Sequence, residues 1–256
     1  MPNPAGSFIW YELMTPDPQA AKAFYERVFA WTIEAEASGA IDYRMIATPG
    51  GHVGGVLTLT PEMIAGGAGA AWVGYLNVDD VDAAVGTIAA AGGRTLMPAH
   101  DMPGVGRFAL VTDPQGAVFY LMRPTPADPN DTSSVFAPGT LGQVAWNELS
   151  TSDQAAALDF YGRLFGWTFD ERLNMGPTGD YAFIDHQGTV LGGVMQQEVP
   201  PAWLFYTQVA DVDAAAAAVG AGGGTVILEP TPVPGGGRVI VARDPPGAMF
   251  GAVQGA

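Results

Sequence analysis

"WYELMTPDPQAAKAFYERVFAWT" (Trp10–Thr32) and "WNELSTSDQAAALDFYGRLFGWT" (Trp146–Thr168) are one pattern written twice. Trp, Glu, Leu, Thr, Asp, Phe-Tyr, Arg, Phe and Trp-Thr recur at an offset of 136 (146 − 10). The repetition continues along the chain. "GGV" at Gly54 returns at Gly192, and "WVGYLNVDDVDAA" from Trp72 returns as "WLFYTQVADVDAA" from Trp203. "GRFALVTDPQGAVF" from Gly106 returns as "GRVIVARDPPGAMF" from Gly237. The stretch Arg123–Thr140 between the copies is rich in Pro, Ser, Thr and Asp and reads as a linker. The expected organisation is a first domain over residues 1–128, a linker over 129–141 and a second domain over 142–256.

Each copy opens with a strand that gives way to a helix. Asp17 is a good N-cap, and Pro18 suits the first helical position. Ala21, Phe24, Tyr25, Val28 and Phe29 follow at i, i+3, i+4, i+7 and i+8, one helical face. The second copy presents Ala157, Phe160, Tyr161, Leu164 and Phe165 in the same places. Strands around "YRMIAT" and "HVGGVLTL" complete a unit. A further unit starts at "AWVGYLNV", where Asp79 or Asp80 caps a helix with Val81, Ala84, Val85 and Ile88 inward. Its last two strands are joined by Asp113-Pro114-Gln115-Gly116, which suits a type I turn, and Asp244-Pro245-Pro246-Gly247 is the counterpart. The plan is βαβββ four times, an α+β chain.

A paired βαβββ module that opens on strand, Asp, helix and "FY…LFGW" and closes on "DPxG" resembles the vicinal oxygen chelate superfamily. That group includes glyoxalase I, bleomycin and fosfomycin resistance proteins and extradiol dioxygenases. The resemblance covers roughly residues 6–124 and 142–254 and is nearest to tandem glyoxalase-like proteins with a "W-x-E-L" first strand. It implies four modules paired into two domains, each a curved mixed sheet around a cleft. In metal-dependent members, His, Glu or Gln ligands come from the first and last strands of the modules. Carried onto this chain, those positions are Trp10, Val73, Tyr120 and approximately Val56 in one half. In the other they are Trp146, Leu204, Gly251 and approximately Val194. None is a usual metal ligand, so no metal site and no cofactor are expected, with a divalent ion kept as the alternative. His52, His100 and His186 do not match each other across the repeat and are expected in surface loops.

Residues i and i+2 of a strand share a face. Trp10, Glu12 and Met14 therefore line one cleft, with Trp146, Glu148 and Ser150 as their equivalents. Val73, Tyr75 and Asn77 fall together in the same way, as do Leu204, Tyr206 and Gln208, while Tyr120 comes from a closing strand. Glu12 and Glu148 are the candidate catalytic groups, as acid or base in an apolar surround. They equally suit anchoring a cationic or hydroxylated ligand against an indole, or tying backbone groups at an interface. Tyr75 and Tyr206 suit either a ligand wall or core packing. Arg107 and Arg238, each after a glycine, suit a ligand carboxylate or an acidic partner of the protein itself.

Bulk properties narrow the classes. Net charge is −16, which disfavours nucleic acid and anionic membrane as partners. With no cysteine, thiolate chemistry, disulfides and Cys-ligated metals are excluded. The single lysine, Lys22, sits on the polar side of its helix, so a Schiff base is not expected. "MPNPAGS" carries no secretory signal pattern, and a cytoplasmic location is expected. The partner class is a small organic molecule, bound or transformed by a monomer with pseudo-dimeric halves or by a homodimer. A drug-sequestering binder and a metal-dependent lyase or dioxygenase are the alternatives.

Overall fold

The computed structural model describes residues 3–37, 39, 41–126 and 131–255. The expected boundary at residues 128 and 129 lies outside them. The βαβββ plan appears four times. The first module is β1 Phe8–Thr15, α1 Pro18–Phe29, β2 Thr32–Ile33, β3 Tyr43–Thr48 and β4 Gly51–Thr58, followed by the short helix α2 Pro61–Ala65. The second is β5 Ala71–Asn77, α3 Val81–Ala90, β6 Arg94–Met102, β7 Gly106–Thr112 and β8 Val118–Pro124. The third is β9 Val144–Thr151, α4 Gln154–Phe165, β10 Arg172–Asn174, β11 Asp180–His186 and β12 Thr189–Gln196. The fourth is β13 Ala202–Gln208, α5 Val212–Ala221, β14 Thr225–Pro232, β15 Arg238–Arg243 and β16 Met249–Gln254.

Two eight-stranded mixed sheets result, ordered β2-β3-β4-β1-β5-β8-β7-β6 and β10-β11-β12-β9-β13-β16-β15-β14. Helices α1 and α3 start at the caps expected from the sequence, Asp17 and, of the two candidates, Asp80, and α4 and α5 start the same way. Asp17, Asp80, Asp153 and Asp211 each accept the N–H three residues on, at 2.9 to 3.1 Å. Each bond satisfies one of the orphan donors of a helix N-terminus. Arg107 grips Asp82 in the first turn of α3 with two bonds of 2.7 Å, and Arg238 grips Asp213 in the first turn of α5. Both arginines are thereby paired within the protein. Among the described residues no helix is long and apolar enough to cross a membrane.

The residues cluster into two compact units, each drawing on both halves of the chain. One comprises Met1–Trp10, Gly74–Ser134 and Trp146–Trp203; the other comprises Tyr11–Val73, Val135–Ala145 and Leu204–Ala256. In the second unit, the apolar face of α1 (Phe24, Tyr25, Phe29) shares one core with Val212 and Val219 of α5 and with Phe250 of β16. A side chain at Gly222 or Gly224 would run into the Phe24 ring, so these glycines make room for the helix. In the first unit, α4 brings Phe165 and Tyr161 against Phe119 of β8.

Each unit contains a Trp–Tyr–Asp hydrogen-bond chain centred on a fully buried tyrosine. Trp203 Nε1 donates to the Tyr161 hydroxyl (3.2 Å), which donates to Asp113 Oδ2 (3.0 Å). Trp72 Nε1 donates to the Tyr25 hydroxyl (2.9 Å), which donates to Asp244 Oδ2 (3.0 Å). The aspartates are those of the two "DPxG" turns. Asp113 Oδ1 accepts the N–H groups of Gln115, Gly116 and Ala117 (3.0, 2.7 and 2.8 Å). Asp244 Oδ1 accepts those of Gly247 and Ala248 (2.8 and 2.6 Å), because Pro246 has no N–H to give. Burial pushes both carboxyl groups above the usual range, against the pull of these hydrogen bonds. The repeated Tyr, Trp and Asp of the sequence are therefore one packing device used twice.

Candidate functional site

Register settles which residues face away from the helices. In the parallel pairs, Leu13 matches Val56 and Leu149 matches Val194, and all four are fully buried on the helix side. Glu12 matches Gly55 and Glu148 matches Gly193, so the opposite face carries those glycines. The closing-strand positions assigned by resemblance to Val56 and Val194 thus move one residue back, to Gly55 and Gly193. A period of two makes a slip of one residue exchange the faces.

Strand β9 shows the alternation cleanly. Trp146, Glu148 and Ser150 are half-buried, while Asn147, Leu149 and Thr151 are buried. Trp146 Nε1 donates to the Tyr181 hydroxyl at 2.7 Å, and that hydroxyl donates to Glu148 Oε2 at 3.0 Å. Phe183 stands at 81° to the indole with ring centroids 6.0 Å apart, and it also contacts Tyr181 at 5.5 Å. Ser150 donates to the Gln197 side-chain oxygen at 3.3 Å. Burial, then the negative charge of Glu148, push the Tyr181 phenol well above its ordinary range. Tyr181 is therefore a fixed neutral donor. Its ring covers Gly193, where any side chain would overlap it.

Tyr181 and Phe183 are absent from the sequence-based set. A signal for Tyr181 was present: Tyr43 and Tyr181 recur at an offset of 138 (181 − 43), the offset of "GGV" (192 − 54). In β3 the Tyr43 ring likewise covers Gly55, the register partner of Glu12. The position matching Phe183 is Met45, since each pairs with the glycine opposite its glutamate. Glu12 is 2% exposed and Met14 7%, so the first glutamate lies closed off where Glu148 is only half-buried. Trp10 is half-buried.

The remaining expected residues lie on β5, β8 and β13. Tyr75 and Tyr120 are register partners whose rings stack at 4.0 Å and 16°. Phe108 packs beside them, and His100 stands edge-on to Phe108 at 4.2 Å. Asn77 donates its side-chain amide to the Asn3 carbonyl at 2.6 Å. Tyr206 lies over its partner Gly251, and the backbone of Gln208 bonds that of Gln143 and Gly142. None of the histidines is in a loop: His52, His100 and His186 lie in β4, β6 and β11, paired with Ala47, Phe108 and Thr189. Tight hairpins draw the flanking polar residues into the ladder. His186 is 4% exposed, and burial pulls its pKa down against a hydrogen bond that its ring donates to the Ala5 backbone.

The family's divalent metal does not fit these positions. Trp10, Val73, Gly55 and Tyr120, with Trp146, Leu204, Gly193 and Gly251, offer no imidazole and no carboxylate. Among the described residues no three His, Cys, Asp or Glu side chains converge on a metal-sized site. A cavity of about 10 Å³ in the second unit, walled by Tyr11, Trp31, Trp72, Val144, Phe205 and Phe250, has room for one water at most.

The Glyoxalase/Bleomycin resistance protein/Dioxygenase superfamily matches residues 7–121 and 140–251, the same two stretches that carry the repeated modules. The chain belongs to this superfamily. "Putative glyoxylase CFP32" of Mycobacterium tuberculosis is 34% identical over 249 residues, 96% of this chain and 93% of that protein. "Anthracycline biosynthesis protein DnrV" of Streptomyces peucetius is 31% identical over 266 residues, 97% of this chain and 93% of that protein. Among solved structures, the 2,3-dioxygenase LapB from Pseudomonas sp. KL28 superposes with a TM-score of 0.66 at 15% identity, covering 99% of this chain and 93% of that one. The Mn(II)-bound glyoxalase from Novosphingobium aromaticivorans superposes at 0.64 and 16%, covering 98% and 82%. At such identities these two show a shared fold.

Proposed function

We propose that this superfamily member binds a flat, hydroxylated or carbonyl-bearing organic molecule on the Trp146–Glu148–Ser150 face of β9, without a metal ion. The Trp146 to Tyr181 to Glu148 hydrogen-bond chain carries this reading. It fixes an indole face and a carboxylate side by side on a rigid strand, which is how a site is preorganised. The kinship with a protein named for anthracycline biosynthesis supports a polycyclic aromatic ligand class. If the bound molecule is transformed, Glu148 is the group that moves a proton, with Tyr181 holding it. Glu12 is the closed counterpart, with a role in the fold. Among the described residues no donor set converges on a metal-sized site, which disfavours a metal, and the −16 net charge disfavours a phosphate-bearing partner.

Native mass spectrometry of protein purified from its own host is the test. A stoichiometric small molecule that is released by Glu148→Gln but kept by Glu12→Gln is expected. Retention by both variants, or stoichiometric Mn, Ni, Zn or Fe surviving dialysis, overturns the reading. Once the ligand is known, its turnover by the wild type marks an enzyme, and binding with no turnover in the wild type marks a sequestering protein.

A further inference from the structure

The β9 face has a charge preference that follows from where its hydrogens point. The Trp146 N–H is directed at Tyr181, and the Tyr181 O–H at Glu148. Both aromatic donors are therefore turned inward. The aromatic part of the surface presents π faces, which are negative at their centres, beside carboxylate oxygens. Trp146 and Glu148 are two residues apart on one strand, about 6.6 Å along it. That separation lets one cationic head sit within about 6 Å of the indole centroid and in contact with the carboxylate. Phe183, perpendicular to the indole at 81°, walls the corner. The first half has Met45 in the place of Phe183 and a glutamate only 2% exposed, so its corner is neither complete nor open.

Resting on the reading of this face as the ligand site, we infer that the ligand of the Trp146–Phe183–Glu148 corner is an organic cation, a substituted ammonium on a flat body. Methylated ammonium groups suit such a corner because they shed water easily and spread their charge over a surface that matches aromatic faces. The net charge of −16 adds a long-range attraction for cations that added salt screens.

The test compares (3-hydroxyphenyl)trimethylammonium with 3-tert-butylphenol, two molecules of the same shape with and without the charge. Binding is read from the indole N–H NMR signal of Trp146, assigned with Trp146→Phe. The cation is expected to bind at least about tenfold more tightly, a gap that narrows as salt is raised. Glu148→Gln closes most of the gap by weakening the cation far more than the phenol, and Phe183→Leu weakens the cation a few-fold. Equal affinity, or tighter binding of the phenol, overturns the cation inference and leaves the ligand face standing. A Trp146 signal moved by neither molecule overturns both. If Glu148→Gln does not fold, the charge comparison and its salt dependence on the unmodified protein decide.

Discussion

Replacing Tyr161 by Phe removes one oxygen on which two buried groups depend. Trp203 is 6% exposed and loses the acceptor of its indole N–H, and Asp113, 1% exposed, loses a donor on Oδ2. An orphaned buried N–H costs about 1–3 kcal/mol, and a lost hydrogen bond to a charged group about 1.5–3 kcal/mol. The ring itself stays, so little packing is lost, and Asp113 keeps its three backbone donors. The expected destabilisation is about 3–5 kcal/mol at pH 7. It also depends on pH. Burial raises the folded pKa of Asp113, and such a carboxyl contributes stability that is present below its unfolded value of about 3.9 and is lost as pH rises through the folded value. The Tyr161 hydroxyl opposes that rise, so removing it lifts the folded value further. The penalty at pH 7 therefore exceeds that at pH 4. Urea unfolding followed by far-UV circular dichroism at the two pH values measures it, provided the m-values agree. A loss below about 1 kcal/mol at pH 7, or the same loss at both, refutes the assignment of the Trp203–Tyr161–Asp113 chain as a stabilising device.

Neighbouring glycines should separate fold from function. A methyl at Gly192 meets the Asn147 backbone, which cannot yield, so Gly192→Ala should cost more than about 3 kcal/mol or prevent folding, checked by thermal melting. A methyl at Gly193 meets the buried Tyr181 ring, a side chain that can shift at the expense of its bonds to Trp146 and Glu148; Gly193→Ala should cost less stability than Gly192→Ala yet lose binding of the probe cation at the β9 face. His186 has a folded pKa lowered by burial, so the unfolded chain binds the extra proton first, and stability falls as pH drops below about 6.5. His186→Gln should flatten that part of the stability profile in urea titrations from neutral to mildly acidic pH; an unchanged slope would show that another group is responsible.

The repeated Trp-x-Glu, the aspartate caps and the helix faces were all legible in the chain, because each is a local rule acting over two to eight residues. Strand period placed Trp146, Glu148 and Ser150 on one face, and the burial pattern of β9 agrees. The same rule could not fix the closing strands, where one residue of register separates Val194 from Gly193. Tyr181 and Phe183 escaped notice because β11 meets β9 only through β12, a neighbourhood made by the sheet order and not by adjacency in sequence.

By itself, the sequence determined four βαβββ modules, the superfamily they belong to and a carboxylate beside an indole in each half. Tertiary structure decided which partners those residues meet. Tyr161 finds Asp113 48 residues away, and Tyr25 finds Asp244 219 residues away. Two near-identical glutamates end in different states, Glu12 closed off and Glu148 half-buried on its strand. Local periodicity specifies the direction of a side chain. What covers that side chain depends on residues far along the chain, and those are brought to it only when the sheets and helices pack.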